Sequence, residues 1–267
     1  MWSRTPGWLT RRVGAVIAGV AVVAIVVAAA GYAFLRAQSG GGSLGPPTFV
    51  DETASAGIDQ TYAGAATFDT GGGVAVFDCN GDGKPDVYMA GGTNPAVLYR
   101  NDSPIGGALR FTAVHDPATD LTGVTGAYPL DVDGDGNPDL AVLRAGGNVV
   151  LRGQGGCRFE RANESWGIDG GGSSSLSIAF SATWEGANQL PTLAFGRFRT
   201  LNPDGSVSLD CDSPMLIRPD SSGARYAAPA SLEPGYCPLS MLFSDWSGTG
   251  ERDLRVANDR NYYIGGQ

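Results

Sequence analysis

A single histidine in 267 residues excludes more chemistry than any other feature of this chain. His-based zinc centres and Ser-His-Asp triads each need a histidine in a defined place. The one available, His115, lies in the polar stretch His115-Asp116-Pro117 and reads as a solvated loop residue. Basic residues are also scarce: 18 Lys+Arg against 27 Asp+Glu leave a net charge of −9, which argues against a nucleic-acid partner. Beyond residue 35 no amphipathic helical stretch appears, so a helical bundle is excluded as well. Glycine, by contrast, is abundant at 41 residues. It lacks the three-residue period of collagen, and so suits short strands joined by tight turns.

What is present is a nine-residue pattern, Asp131-Val132-Asp133-Gly134-Asp135-Gly136-Asn137-Pro138-Asp139. Side-chain oxygens occupy its positions 1, 3, 5 and 9, and glycines occupy 4 and 6. Asp78-Cys79-Asn80-Gly81-Asp82-Gly83-Lys84-Pro85-Asp86 repeats it upstream, 53 residues earlier. Asp245-Trp246-Ser247-Gly248-Thr249-Gly250-Glu251-Arg252-Asp253 repeats it more loosely. Alternating oxygens on a glycine-bent loop suit a hard cation that takes six to eight oxygen ligands, which is Ca²⁺. The candidate ligands are Asp78, Asn80, Asp82 and Asp86; Asp131, Asp133, Asp135 and Asp139; and Asp245, Ser247, Thr249 and Asp253. Backbone carbonyls at position 7, Lys84 and Asn137, add to the first two sets. An EF-hand is rejected, because Met89 and Val142 stand where its twelfth-position Glu belongs and strands flank the loop. Charge count orders the expected affinities: the second loop, then the first, then the last, with dissociation constants on the order of 10⁻⁴–10⁻³ M. The competing reading of each loop is an acidic Asx-type turn with no metal.

The same spacing carried forward from Asp131 lands on Trp184-Glu185-Gly186-Ala187-Asn188-Gln189-Leu190-Pro191-Thr192, a copy without most of the ligands. Strand candidates precede each loop at Val74–Phe77, Ala127–Leu130, Leu176–Phe180 and Ser240–Phe243. Others follow at Val87–Met89, Leu140–Leu143, Leu193–Phe195 and Leu254–Val256. A hairpin signature then recurs: Leu98-Tyr99-Arg100-Asn101 leading to Arg110-Phe111, Val150-Leu151-Arg152-Gly153 to Arg158-Phe159, and Leu216-Ile217-Arg218-Pro219 to Arg225-Tyr226. Phe49 through Ala56-Gly57-Ile58 also resembles Phe159 through Trp166-Gly167-Ile168. Four short strands per unit of this length make an all-β fold, with a β-propeller of four-stranded blades as the expected architecture. A β-sandwich ranks second, since it does not repeat one loop at a fixed period. About four units are present and the last lacks its hairpin signature. The ring is therefore expected to be incomplete, either as a fragment of a longer propeller, which is favoured, or as one chain of an assembly.

Val13–Leu35 carries no charge and, at about 1.5 Å per residue, spans roughly 35 Å, enough to cross a bilayer. Arg4, Arg11 and Arg12 precede it, so residues 1–12 are expected in the cytoplasm, 13–35 as a signal anchor, and the remainder outside. Secretion after signal cleavage is the alternative. Residues 36–47 read as a flexible linker and 48–267 as the repeat region. In an exported chain four cysteines point to disulfides, with three pairings open. Cys211 and Cys237 bracket a Pro-rich, strand-poor insertion and are the favoured pair, leaving Cys79 for Cys157.

On Gly71-Gly72-Gly73-Val74-Ala75-Val76-Phe77 and the two acidic loops, the chain resembles the FG-GAP (VCBS-type) repeat proteins, whose blades are like those of integrin α-subunit propellers. Phe49-Val50-Asp51-Glu52-Thr53-Ala54-Ser55-Ala56-Gly57-Ile58 is similar to the opening of the cartilage-acidic-protein-like (ASPIC/UnbV-associated) branch. The resemblance implies an extracytoplasmic propeller with structural Ca²⁺ in its loops, serving adhesion or contact with a protein or glycan ligand. It implies no catalytic residues. A propeller-based polysaccharide-acting enzyme is the rival, with Glu185 or Asp259 as unsupported carboxylate candidates, and a purely structural role in a larger assembly is the third reading.

Overall fold

The computed structural model describes residues 25–33, 46, 48–186 and 188–259. Its contacts divide the chain into Met1–Asp51 and Glu52–Gln267. In the first unit residues 25–33 are helical and exposed. No helix among the described residues is long and apolar enough to cross a membrane. The rest of the expected 13–35 anchor lies outside the described residues, as do residues 1–12 and most of 36–47.

The second unit is all β. Strands β1 (Val74–Phe77), β2 (Asp86–Met89), β3 (Val97–Asn101) and β4 (Phe111–Val114) form one antiparallel sheet in chain order. The next sheet repeats this order with β5 (Val124–Leu130), β6 (Asp139–Arg144), β7 (Val149–Gly153) and β8 (Phe159–Arg161). A third sheet holds β9 (Ser175–Thr183), β10 (Thr192–Leu201), β11 (Val207–Cys211), β12 (Met215–Ile217) and β13 (Ala230–Ser231). A last pair joins β14 (Pro238–Ser244) to β15 (Asp253–Asn258). Each nine-residue loop connects the first two strands of its sheet.

Packing follows from the period-2 alternation of strand side chains. Leu140 and Val142 of β6 point to one face and pack with Phe77, Tyr88 and Leu98 of the first sheet. Ala141 and Leu143 point to the other and pack with Phe180, Leu193 and Phe195 of the third. The second sheet is thus covered on both faces, which explains its unbroken apolar run Leu140–Leu143. The third and last sheets meet through Ala179, Ala194, Leu216 and Met241. There Gly196 permits a close approach, since a Cβ would stand 3.1 Å from the Met241 sulfur. Successive sheets therefore stack face to face in chain order, as four sheets and not as the two of a sandwich.

The likeness between residues 49–58 and 159–168 is structural. Amide-to-carbonyl bonds Ala56→Glu52 and Ile58→Thr53 match Trp166→Ala162 and Ile168→Asn163. Gly57 and Gly167 each cap the turn at positive φ, 82° and 74°, where a side chain is strained. Ala56 then accepts from the Phe111 amide as Trp166 accepts from that of Tyr226, docking each turn on a hairpin aromatic.

Both expected disulfides are present, Cys79–Cys157 and Cys211–Cys237. The segment between Cys211 and Cys237 is strand-poor as expected, with only the short strands β12 and β13. β12 pairs with an edge of β10, and β13 pairs with β12. The third hairpin accordingly pairs β12 with Ala230–Ser231, and Tyr226 makes only a bridge to Pro219. β10 also outruns its expected three residues, and its far end pairs with the additional strand β11.

Candidate metal loops

Position 1 organises each loop from within. Asp78 accepts from the amides of Asn80, Gly81, Asp82 and Gly83, the shortest at 2.7 Å. Asp131 accepts from Gly134 and Gly136, and Asp245 from Thr249 and Gly250. These are Asx-type turns, so the loop path is encoded by the chain alone. Gly81, Gly83, Gly134 and Gly136 hold φ between 72° and 86°, with nothing within 4 Å of where a Cβ would stand. Their need is conformational, not spatial.

Position 9 does something the sequence pattern did not disclose. Asp86 and Asp139 are fully buried, and each spans two backbone amides with its two oxygens. Asp139 takes the amide of Val132 at 2.7 Å and that of Gly153 at 2.7 Å. Asp86 takes those of Cys79 at 2.8 Å and Asn101 at 2.7 Å. The ninth residue thus ties loop position 2 to the end of the third strand. In the last loop Asp253 reaches only Trp246 and Ser247, and it is exposed. Burial pushes the Asp139 carboxyl up to about 6 despite its two amide donors, and Asp133 and Asp135 add to the rise. Burial raises Asp86 in the same way.

In the first two loops position 2 faces a neighbouring sheet. Val132 is buried in the core shared with the third sheet. Cys79 is disulfide-linked to Cys157, just ahead of β8, across 78 residues of chain. On loop-closure entropy such a link is worth about 4 kcal/mol. Its sulfur at Cys157 lies 3.7 Å from Asp86 Oδ2, but the disulfide consumes both thiolates as metal ligands. Trp246 is exposed and stacks under the Arg255 guanidinium, 3.3 Å from the ring centroid.

The second loop gathers its carboxylates most closely: ligand oxygens of Asp131, Asp133 and Asp139 lie within 4.8 Å of one another. A guanidinium enters from β7. Arg152 Nε stands 2.6 Å from Asp133 Oδ2, and Arg152 Nη2 stands 3.1 Å from Asp135 Oδ2. A positive group therefore already sits against hard oxygen donors, and this donor set fits Ca²⁺. Asp135 is held below its ordinary value by the Asn137 amide, and Asp82 likewise by that of Lys84, whose ammonium pairs with it at 3.2 Å. In the third loop Glu185 pairs with Arg218 at 3.0 Å and accepts from Thr192 Oγ1 at 2.7 Å. Burial alone would raise the Glu185 carboxyl, yet Arg218 and Thr192 bring it below its ordinary value. Asp259, the other carboxylate considered, lies 3.9 Å from Arg199. Ser247 and Thr249 of the last loop bond each other at 2.9 Å. His115 is an exposed loop residue 3.1 Å from Asp120.

Compared with known families, residues 78–142 match the FG-GAP-like repeat. The chain carries an FG-GAP repeat. The match runs from the first residue of the first loop, through the second loop, into β6, and so takes in both oxygen-rich loops. No curated protein matches the chain.

Proposed function

We propose that the chain is a β-propeller-like interaction module whose first two loops bind Ca²⁺ as structural staples. Its apolar Val13–Leu35 run would hold it at a membrane with the repeats on the extracytoplasmic side. The observation that carries the calcium reading is the convergence of Asp131, Asp133 and Asp139 oxygens at the mouth of a loop built twice. Bound there, calcium supplies a divalent charge that cross-links positions 1, 3, 5 and 9. The position-9 carboxylate passes that restraint on to the third strand through its amide bonds. At positions 1, 3, 5 and 9 the last loop has two carboxylates and two hydroxyls, and its ninth residue takes no third-strand amide, so we rank it weakest. The FG-GAP repeat favours protein or glycan contact over catalysis. The likeness of Phe49–Ile58 to the cartilage-acidic-protein-like branch points the same way.

The test is to screen the full chain on glycan and peptide panels, with calcium and with chelator. Calcium-dependent capture without turnover is expected. Glycan cleavage by the purified protein would overturn the interaction reading in favour of a hydrolase or lyase.

A further inference from the structure

Strand register makes three arginines equivalent. The residue after each ninth position, Val87, Leu140 or Leu193, pairs across the sheet with Tyr99, Leu151 or Ile217. The next residue is in every case arginine: Arg100, Arg152, Arg218. Their destinations differ. Arg218 reaches the third loop and neutralises Glu185 at 3.0 Å. Arg152 reaches the second loop and pairs with Asp133 and Asp135. Arg100 turns away from the first loop to make two bonds, of 2.8 and 3.1 Å, with Asp102, which Thr112 Oγ1 holds at 2.6 Å. At the Asp102 position the second repeat has Gln154, which offers no charge to divert Arg152. The third has Asp220, whose Oδ1 accepts from the amide and hydroxyl of Ser222 in its own turn, and Arg218 stays on the loop.

We propose that this arginine is a built-in rival for the loop cation, and that in the first two repeats the residue two places on decides whether it competes. The inference rests on the calcium reading above. In the third repeat the ligand positions carry no carboxylate, and the guanidinium pairs instead with Glu185 at position 2. In the second it must be displaced from Asp133 and Asp135 before calcium can use them. In the first, Asp102 sequesters it, and Asp82 is paired only with the Lys84 ammonium, at 3.2 Å. Counting carboxylates therefore overstates the second loop.

Calorimetric calcium titration of the full chain tests this, with thermal unfolding in chelator as the second readout. Arg152→Met should tighten one of the two sites about tenfold, the scale of a half-exposed ion pair. It should also lower the metal-free unfolding midpoint, because Asp131, Asp133 and Asp135 lose their counter-charge. Asp102→Gln should weaken the other site, and this loss should vanish in an Arg100→Met background, where no guanidinium remains to be released. A wild-type chain that binds calcium while Arg152→Met binds no tighter would overturn the rivalry and leave the calcium reading standing. A weakening by Asp102→Gln that persists without Arg100 would also overturn it. If neither the wild type nor the variant binds calcium, the calcium reading falls, and the rivalry with it.

Discussion

The second and third repeats share one frame and differ in what sits at its mouth. In both, a loop joins the first two strands and its ninth residue is buried where the second strand starts. In both, an arginine from the third strand leans over it. The second repeat presents Asp131, Asp133, Asp135 and Asp139 around Arg152. The third presents one carboxylate, Glu185, matched by one guanidinium, Arg218. Where the carboxylates outnumber the arginine, the loop keeps a charge deficit that a divalent cation would fill. Where they match, the loop is already neutral. The sheet does not depend on which solution is used, since Leu140 and Leu193 are equally buried beneath the two loops.

The largest effect that would sharpen this comparison is at the ninth position. Asp139→Ala leaves the amides of Val132 and Gly153 buried without acceptors, at a cost of roughly 2–5 kcal/mol. Thr192→Ala in the third repeat removes only a side-chain bond to Glu185 and should cost less than half as much. Urea unfolding of both variants checks this, and equal losses would break the contrast.

A smaller effect should appear with pH in chelator. The folded Asp139 carboxyl binds its proton more tightly than the ordinary 3.8, at about 6. Its contribution to stability is thus fully present below about 4 and is lost as pH rises through 6. Asp86 shifts in the same direction. Between pH 4 and 6 the metal-free unfolding midpoint of the wild type should therefore fall relative to that of Asp139→Asn, and calcium should flatten this difference by favouring the carboxylate. A difference that grows with pH in favour of the wild type without metal would contradict the assignment. The smallest effect belongs to the third loop. The Glu185–Arg218 pair is partly exposed, so Glu185→Gln should cost under about 1 kcal/mol and leave calcium binding unchanged.

The loops and their flanking strands were legible because local chemistry writes them. Asp at position 1 and Gly at 4 and 6 encode an Asx turn at positive φ, and apolar residues at 10 and 12 announce the next strand. β12 was legible through the hairpin signature Leu216-Ile217, but β13 was not. Pro214, Pro219, Pro229 and Pro234 punctuate that segment as turns, and the two residues of β13 take their strand identity from pairing with β12. The role of the ninth aspartate was hidden for another reason. The same residue in the same place serves as a ligand facing out or as a clamp facing in, and only the fold brings Gly153 or Asn101 to it. The arginine was visible as part of the recurring hairpin signature. Its partner, however, lies in a loop 17 residues away.

Either a cation holds these loops or their own turns do. Calcium titration of the full chain by calorimetry, with unfolding midpoints followed in parallel, decides it most directly. Binding on the order of 10⁻⁴–10⁻³ M is predicted, and at about 1 mM calcium each site at the tight end of that range adds about 1.4 kcal/mol of stability over chelator. No heat of binding, together with the same midpoint in calcium and in chelator, would show that the loops are Asx turns that hold themselves.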